Sequence, residues 1–232
     1  MNIVYAATRN LYPWLRLAIL SLLDHNSPAM IYVLAEDDAL PFEIDAPHKV
    51  INVSEQQYFD MNGPNAKSIY TYMAMMRLCY VDLMPECDKV IQLDVDTIVC
   101  DDLTPLWKID LTGKWFSACE EYTARYKPYG PHYYNIGVCV FNLAQLRADG
   151  IVPLMIYDLN NRPYYCIEQD MLNKYGVPDK VVPFGVERIR YNESFCCGYT
   201  SDPAIVHFAG RSDWMTNPNH FRREYLEKYL AR

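Results

Sequence analysis

Two acids, Asp94 and Asp96, stand directly behind Lys89-Val90-Ile91-Gln92-Leu93, an apolar run that reads as a short strand. Alternate residues of a strand point to the same side, so the two carboxylates converge on one small volume. Like charges that close are costly unless a cation joins them. Hard divalent ions take carboxylate oxygens, and Mg²⁺ usually holds substrate phosphates as well. The pair therefore predicts a metal clamp for a phosphorylated substrate at the C-terminal edge of an α/β sheet, where such folds bind ligands. Asp-x-Asp also occurs as a solvated turn. Here the apolar run before it and Thr97-Ile98-Val99 after it leave no turn residues.

The elements that must position this pair alternate along the chain. Residues 2–7 form a first strand, and Thr8-Arg9-Asn10 a polar turn. Pro13 opens a helix to about Asp24, with Leu15, Ala18, Ile19, Leu22 and Leu23 at helical spacing. Strands are expected over 30–35, 49–53, 89–93, 115–119, 137–142 and 204–208. Helices are expected over 68–83, around 143–147, 154–159 and 168–174, and over 220–230. A loop rich in Tyr and Pro spans 122–134. No repeat, low-complexity tract or long linker divides the chain, so residues 1–232 read as a single α/β domain with a substantially parallel sheet.

Composition limits the function further. A chain of 232 residues should bury roughly 70% of its unfolded surface. No uncharged run reaches the roughly 18 residues of a membrane span. A net charge of −8 argues against nucleic acid as a partner, and makes an anionic substrate hard to bind without a local cation. The eight cysteines include no Cys-x-x-Cys pair, which excludes the usual structural zinc spacing. The opening Met1-Asn2-Ile3-Val4-Tyr5 lacks a basic leader, so reduced thiols and a cytoplasmic location are expected.

Five segments, in order, resemble the retaining glycosyltransferases of family 8, which include lipopolysaccharide galactosyltransferases and glycogenin. They are Ile3-Val4-Tyr5-Ala6-Ala7-Thr8; Arg77-Leu78 through Asp94-Val95-Asp96-Thr97; Tyr134-Asn135-Ile136-Gly137-Val138; Glu168-Gln169-Asp170-Met171-Leu172-Asn173; and Val206-His207-Phe208-Ala209-Gly210. The resemblance implies the GT-A fold, a mixed, mainly parallel sheet flanked by helices, and transfer of a hexose, glucose or galactose, from a UDP-sugar to a carbohydrate or other glycosyl acceptor. It implies that Asp94, Asp96 and His207 hold Mn²⁺ or Mg²⁺, and that Ala6, Thr8 and the ring of Tyr12 hold the uridine. Val95 would lie beside the ribose, and Arg77 would approach the acids and the donor. Asn135, Ile136, Gly137, Gln169 and Asp170 would face the transferred sugar. A His in a strand is otherwise a core residue, Arg77 otherwise a surface one, and Tyr12 otherwise packs on the first helix.

The chain departs from the family in three places. Thr8 and Arg9 stand where the family carries an acid for the uracil edge, with Leu11 inserted before Tyr12. After Gly210 there is no Lys for the donor phosphate, and Arg211 is the candidate substitute. No basic-aromatic tail follows the last helix, which fits a soluble acceptor better than a lipid-anchored one.

In the chemistry this implies, a metal stabilises the departing diphosphate as a Lewis acid. With Gln169 a poor nucleophile, same-face attack guided by the departing phosphate fits retention better than a covalent intermediate, and Asp170 and Gln169 position the sugar. Two other classes remain. Leu93-Asp94-Val95-Asp96-Thr97 also fits the Asp-x-Asp-x-Thr signature of haloacid-dehalogenase phosphatases, although that family opens with this strand. A non-catalytic nucleotide-sugar-binding module would fit the altered base pocket.

Overall fold

The computed structural model describes residues 1–68, 70–122, 129–209, 216–220, 222–230 and 232. Its strands are β1 (Asn2–Ala6), β2 (Met30–Ala35), β3 (His48–Asn52), β4 (Lys89–Leu93), β5 (Thr97–Val99), β6 (Phe116–Glu120), β7 (Tyr134–Asn142), β8 (Val181–Pro183) and β9 (Ile205–His207). Seven form one sheet in the order β3-β2-β1-β4-β7-β6-β8. The first four of these run parallel, β7 is antiparallel to both its neighbours, and β8 lies parallel to β6. The sheet is thus mixed and mainly parallel, as expected.

The largely apolar composition of the inner strands follows from cover on both faces. On one face Val4, Leu34, Val90 and Phe141 pack against Met75, Met76, Cys79 and Tyr80. On the other, Ile3, Tyr5, Val33, Ile91 and Val140 pack against Leu15, Ala18, Ile19 and Leu22 of α1 (Tyr12–His25). Each fully buried leucine of that seam contributes about 1.5–3 kcal/mol.

The helix expected over 68–83 begins later and is broken. Thr71 is extended, at φ −75 and ψ 160, and the hydroxyl of Ser68 accepts from Tyr70 N at 2.9 Å, so the backbone there closes a turn. Beyond it lie α2 (Tyr72–Met75), a tightened 3-10 turn (Met76–Cys79) and α3 (Tyr80–Leu83). Arg77 stands in the tightened turn, with Met76 and Leu78 buried on either side of it.

Behind the sheet's C-terminal edge, β5 pairs antiparallel with β9, setting Thr97 opposite His207. The sequence reading placed the late strand but left it without a partner. The remaining helices are α4 (Thr104–Trp107), α5 (Leu143–Asp149), α6 (Val152–Asn161), α7 (Ile167–Gly176) and α8 (Arg223–Leu230). The last starts at Arg223 rather than His220, because residues 217–220 form a turn closed by His220 N on Asn217 O at 3.1 Å.

Candidate active site

Both acids sit just beyond the end of β4, as expected, but in a turn rather than at alternate positions of the strand, so it is the turn and not the pleat that brings them together. Asp94 N still donates to Gly137 O at 2.8 Å, extending the β4–β7 ladder by one bond. The chain then turns, closed by the Thr97 hydroxyl on Asp94 O at 2.6 Å, and continues as β5. Phe208 N donates to Asp96 O at 2.9 Å, so the end of β9 is fixed to the acid loop by its backbone. That pairing delivers His207, 111 residues downstream of Asp96, to the acids.

The side chains are held so that three ligand atoms face one another. Asp94 Oδ1 accepts from Gln92 Nε2 at 2.9 Å and from Arg77 Nη2, and Gln92 is itself fixed by the buried hydroxyl of Tyr80 at 2.6 Å. Asp94 Oδ2 is left facing His207 Nε2 at 3.7 Å, and Asp96 Oδ1 lies 3.4 Å from the same nitrogen. One oxygen from each acid and one ring nitrogen all lie within 4.8 Å of one another. Asn192 Nδ2 donates to Asn135 Oδ1 at 3.0 Å, which turns Asn192 Oδ1 toward His207 Nδ1 at 2.8 Å. Nδ1 therefore keeps its proton, and Nε2 is the nitrogen whose proton faces the acids and whose lone pair is freed for a metal when that proton leaves.

The donor set of two carboxylates and one imidazole fits Mn²⁺ and also accepts Mg²⁺. Gly137 supplies a second test of fit, since a Cβ there would lie 2.2 Å from His207 Cε1 and 2.7 Å from Asp94 Oδ2. Only a hydrogen at that position leaves the ligands room to converge.

The charges are uneven. Burial penalises the charged ring of His207, but Asp96 and Asp94 outweigh it and raise its pKa to about 10. A cation entering the site thus displaces a proton from His207. Burial opposes ionisation of Asp94 too, yet Arg77 and then His207 hold its pKa below the ordinary carboxylate value.

Arg77 also donates to Glu168 Oε1 at 2.8 Å, and one guanidinium cannot neutralise two buried carboxylates. Asp94 keeps the charge. Burial lifts Glu168 from its ordinary 4.5 to about 7 despite Arg77. The stability gained from that raised value is complete below about pH 4.5 and is lost as pH rises through about 7. Wild type should therefore lose up to about 3 kcal/mol more than Glu168→Gln between pH 5 and pH 8. Urea unfolding at both pH values measures the difference, and parallel losses in the two proteins would mean that Glu168 ionises as freely as a surface acid.

Two cavities flank the acid pair. One, about 220 Å³, lies toward β1 and is lined by Ala6, Leu11, Thr71, Ala74, Arg77 and Val95 together with Asp94 and Asp96. The other, about 170 Å³, lies toward β7 and α7, with Glu121, Asn135, Gly137, Glu168, Gln169 and His207 among its walls. In its wall Gln169 Oε1 accepts from Ile136 N at 3.0 Å, while Gln169 Nε2 and Asn135 Nδ2 both donate to Glu121 Oε1, at 3.2 and 2.8 Å.

The expected site residues divide accordingly. Asp94, Asp96, His207, Arg77, Asn135, Gly137 and Gln169 come together, and Ala6 and Val95 line the β1-side cavity. Asp170 does not join them. It is fully buried and accepts from Tyr133 at 2.6 Å, Tyr129 at 3.2 Å and Cys166 N at 3.0 Å, so it anchors the start of α7. Ile136 is core, because its neighbours along β7 take the cavity side. Tyr12 is also core: its hydroxyl donates to Asp37 at 3.1 Å and accepts from Glu36 N at 2.9 Å, and its ring is buried in the same cluster as Tyr5 and Leu15. Thr8 turns its hydroxyl to Asn10 Oδ1 at 2.6 Å, and Leu11 lines the cavity instead. Gly210 and Arg211 lie outside the described residues.

The sequence reading missed Glu121, Asn192 and the placement of Glu168. Glu168 could have been found, being the acid one position before Gln169 in a quoted motif. Glu121 and Asn192 carry no local signal, since each is recruited from a distant segment.

Comparison with known proteins adds to this geometry. The sequence profile described as "Glycosyl transferase family 8" matches residues 2–182. A putative glycosyltransferase of Haemophilus influenzae is 25% identical over 195 residues, covering 75% of this chain and 58% of that protein. The chain thus spans under two thirds of that relative's length. Probable galacturonosyltransferase 14 of Arabidopsis thaliana is 49% identical over 45 residues, 19% of this chain and 8% of that protein. The solved structure of galactosyltransferase LgtC in complex with donor and acceptor sugar analogs superposes with a TM-score of 0.74. It is 21% identical, with 100% of this chain and 95% of that one covered.

Proposed function

The chain belongs to glycosyl transferase family 8, and we propose that it is a metal-dependent, retaining hexosyltransferase. It would use a UDP-sugar as donor, with residues 1–232 acting as one GT-A domain. The observation that carries this reading is the convergence of Asp94, Asp96 and His207, with a cavity on either side of the acid pair. Asp94 Oδ2, Asp96 Oδ1 and His207 Nε2 would hold Mn²⁺ or Mg²⁺, which when bound supplies Lewis-acid stabilisation of the leaving diphosphate. The β1-side cavity, with Ala6, Leu11 and Val95, takes the nucleoside, and the β7-side cavity takes the hexose.

The protein's own residues set the rest. Arg77 keeps Asp94 ionised and adds a fixed positive charge beside the phosphates. Glu168 Oε2, buried with no hydrogen-bond partner among the described residues, offers a contact to a sugar hydroxyl. Arg77 holds Glu168 Oε1, and Asn135 and Gln169 hold Glu121 Oε1, which favours positioning roles for both acids over attack on the sugar. Retention then follows from same-face attack, with the acceptor proton passing to the departing phosphate. Asp94 is equally unsuited to the nucleophile's part in a phosphatase, since Arg77 and Gln92 hold its Oδ1.

Incubation with Mn²⁺ and a panel of UDP-hexoses, followed by mass spectrometry, should show UDP release from one of them. Proton NMR of the product should show the anomeric configuration of the donor. Release of phosphate from small phosphomonoesters, with every UDP-sugar intact, would overturn the reading.

A further inference from the structure

The turn that delays α2 until residue 72 leaves one aromatic ring standing over the site. The Ser68 hydroxyl accepts from Tyr70 N at 2.9 Å and donates to Tyr70 O at 3.2 Å, and Thr71 is extended, so Tyr70 stands clear of the helix. Its side chain reaches across to the start of α7, where its hydroxyl meets Cys166 Sγ at 3.8 Å. That shelf is braced. Cys166 N donates to Asp170 Oδ2 at 3.0 Å, and Ile167 sits at φ 34, a conformation that a β-branched residue rarely adopts. Tyr70 is 41% exposed, whereas Cys166 is only 4% exposed. A tyrosine whose hydroxyl end is held while its ring remains in water is a strap rather than a loose surface side chain.

The strap lies at the junction of the two cavities. Tyr70, Ala74, Arg77, Asp94 and Asp96 line both of them. Any molecule that fills both cavities must therefore place its connecting group among these side chains. Four of them are the two candidate metal ligands, the guanidinium that holds Asp94, and a methyl group. The fifth differs in kind: Tyr70 is the one Phe, Tyr or Trp among the described residues that lines either cavity. For a nucleotide-sugar with its nucleoside on the β1 side and its hexose on the β7 side, the connecting group is the diphosphate. The bond to be broken then lies where the junction opens into the β7-side cavity, the cavity that Cys166 also lines. Water reaching that bond competes with an acceptor, and a ring laid over it removes that water. Burial and then the Cys166 thiol push the pKa of Tyr70 up, so the ring stays neutral beside the phosphates.

We propose that Tyr70 is a positioning residue that caps the bond between the diphosphate and the hexose, using the start of α7 as its shelf. This role rests on the transferase reading given above. Because the cap spans the junction, it acts on a ligand that occupies both cavities and contributes little to a nucleotide that occupies one.

The test is calorimetry on the full chain with Mn²⁺, using UDP-glucose, UDP-galactose, UDP and UMP as ligands. Tyr70→Ala should weaken whichever UDP-hexose the wild type binds about tenfold, and UDP and UMP less than about twofold. Tyr70→Phe keeps the ring and should bring that affinity back to within about threefold of wild type. Tyr70 is exposed, so both variants should unfold at the wild-type temperature. A second readout needs no nucleotide. Alkylation of Cys166 by iodoacetamide, followed by peptide mass spectrometry, should run about tenfold faster in Tyr70→Ala than in wild type, because the strap no longer covers the thiol. Equal weakening of UDP and UDP-hexose would make Tyr70 a rim of the nucleoside cavity and overturn the cap. So would unchanged UDP-hexose affinity, a Tyr70→Phe protein as weak as Tyr70→Ala, or an unchanged alkylation rate. A wild type that binds no UDP with Mn²⁺ would instead sink the transferase reading, and this role with it.

Discussion

Gly137→Ala should cost the protein its metal site while sparing the fold. The added methyl would lie 2.2 Å from His207 Cε1 and 2.7 Å from both His207 Nε2 and Asp94 Oδ2, so it contacts two of the three candidate ligands at once. Neither can retreat cheaply. His207 is fixed at Nδ1 by Asn192 at 2.8 Å, and its backbone N donates to Glu193 O at 2.8 Å. Asp94 is fixed by Arg77 and by Gln92 at 2.9 Å. The ring must rotate or the β4–β7 ladder must open, and overpacking of this kind costs about 1–3 kcal/mol of stability. Displacing ligands from their supporting hydrogen bonds typically lowers metal affinity about 10- to 100-fold. Mn²⁺ titration followed by EPR measures that loss directly. Wild-type affinity in Gly137→Ala would mean that the cation binds without His207.

The residues of this site were unequally legible in the sequence, for physical reasons. Asp94 and Asp96 could be read because the chemistry is local: an apolar strand ending on two acids has few other uses. Gly137 was read as a sugar contact, whereas its structural reason is a close approach by a side chain from β9, which no periodicity encodes. Asp170 and Glu168 show the limit in the other direction. Both acids lie in the first turn of α7, and only packing decides which faces the cavity. Asp170 has hydroxyl donors from Tyr129 and Tyr133, which lie far upstream in the chain, and it turns inward to them. The expectation of one long helix over 68–83 failed because apolar residues occur on all its sides. Spacing then cannot reveal where a buried segment breaks. The strand over 204–208 was legible, but its pairing with the three residues of β5 was not, because no local pattern encodes a partner so far away in the chain.

Asp96→Asn should abolish most turnover with a smaller loss of stability than the same change at Asp94, which makes it the cleaner test of the metal. Asp94 has a structural debt: removing its charge would leave Arg77 buried with Glu168 alone, a loss of about 3–5 kcal/mol for a broken buried pair. Asp96 has no such partner among the described residues beyond the ring of His207 at 3.4 Å. Its amide replacement keeps the shape but removes the charge that does most to raise the pKa of His207, so some stability is lost at neutral pH, limited because the ring can shed its proton where the Arg77 guanidinium cannot. Turnover should fall about 10²- to 10³-fold, the loss seen when one stabiliser of a developing negative charge is removed. Calorimetry should show UDP affinity that no longer responds to Mn²⁺, and EDTA should bring the wild type down to the same level. Full transfer in EDTA, or an Asp96→Asn protein that still needs Mn²⁺ at the wild-type concentration, would separate the acid pair from the chemistry. Among the described residues, Arg77 would then be the counter-charge left to the leaving diphosphate.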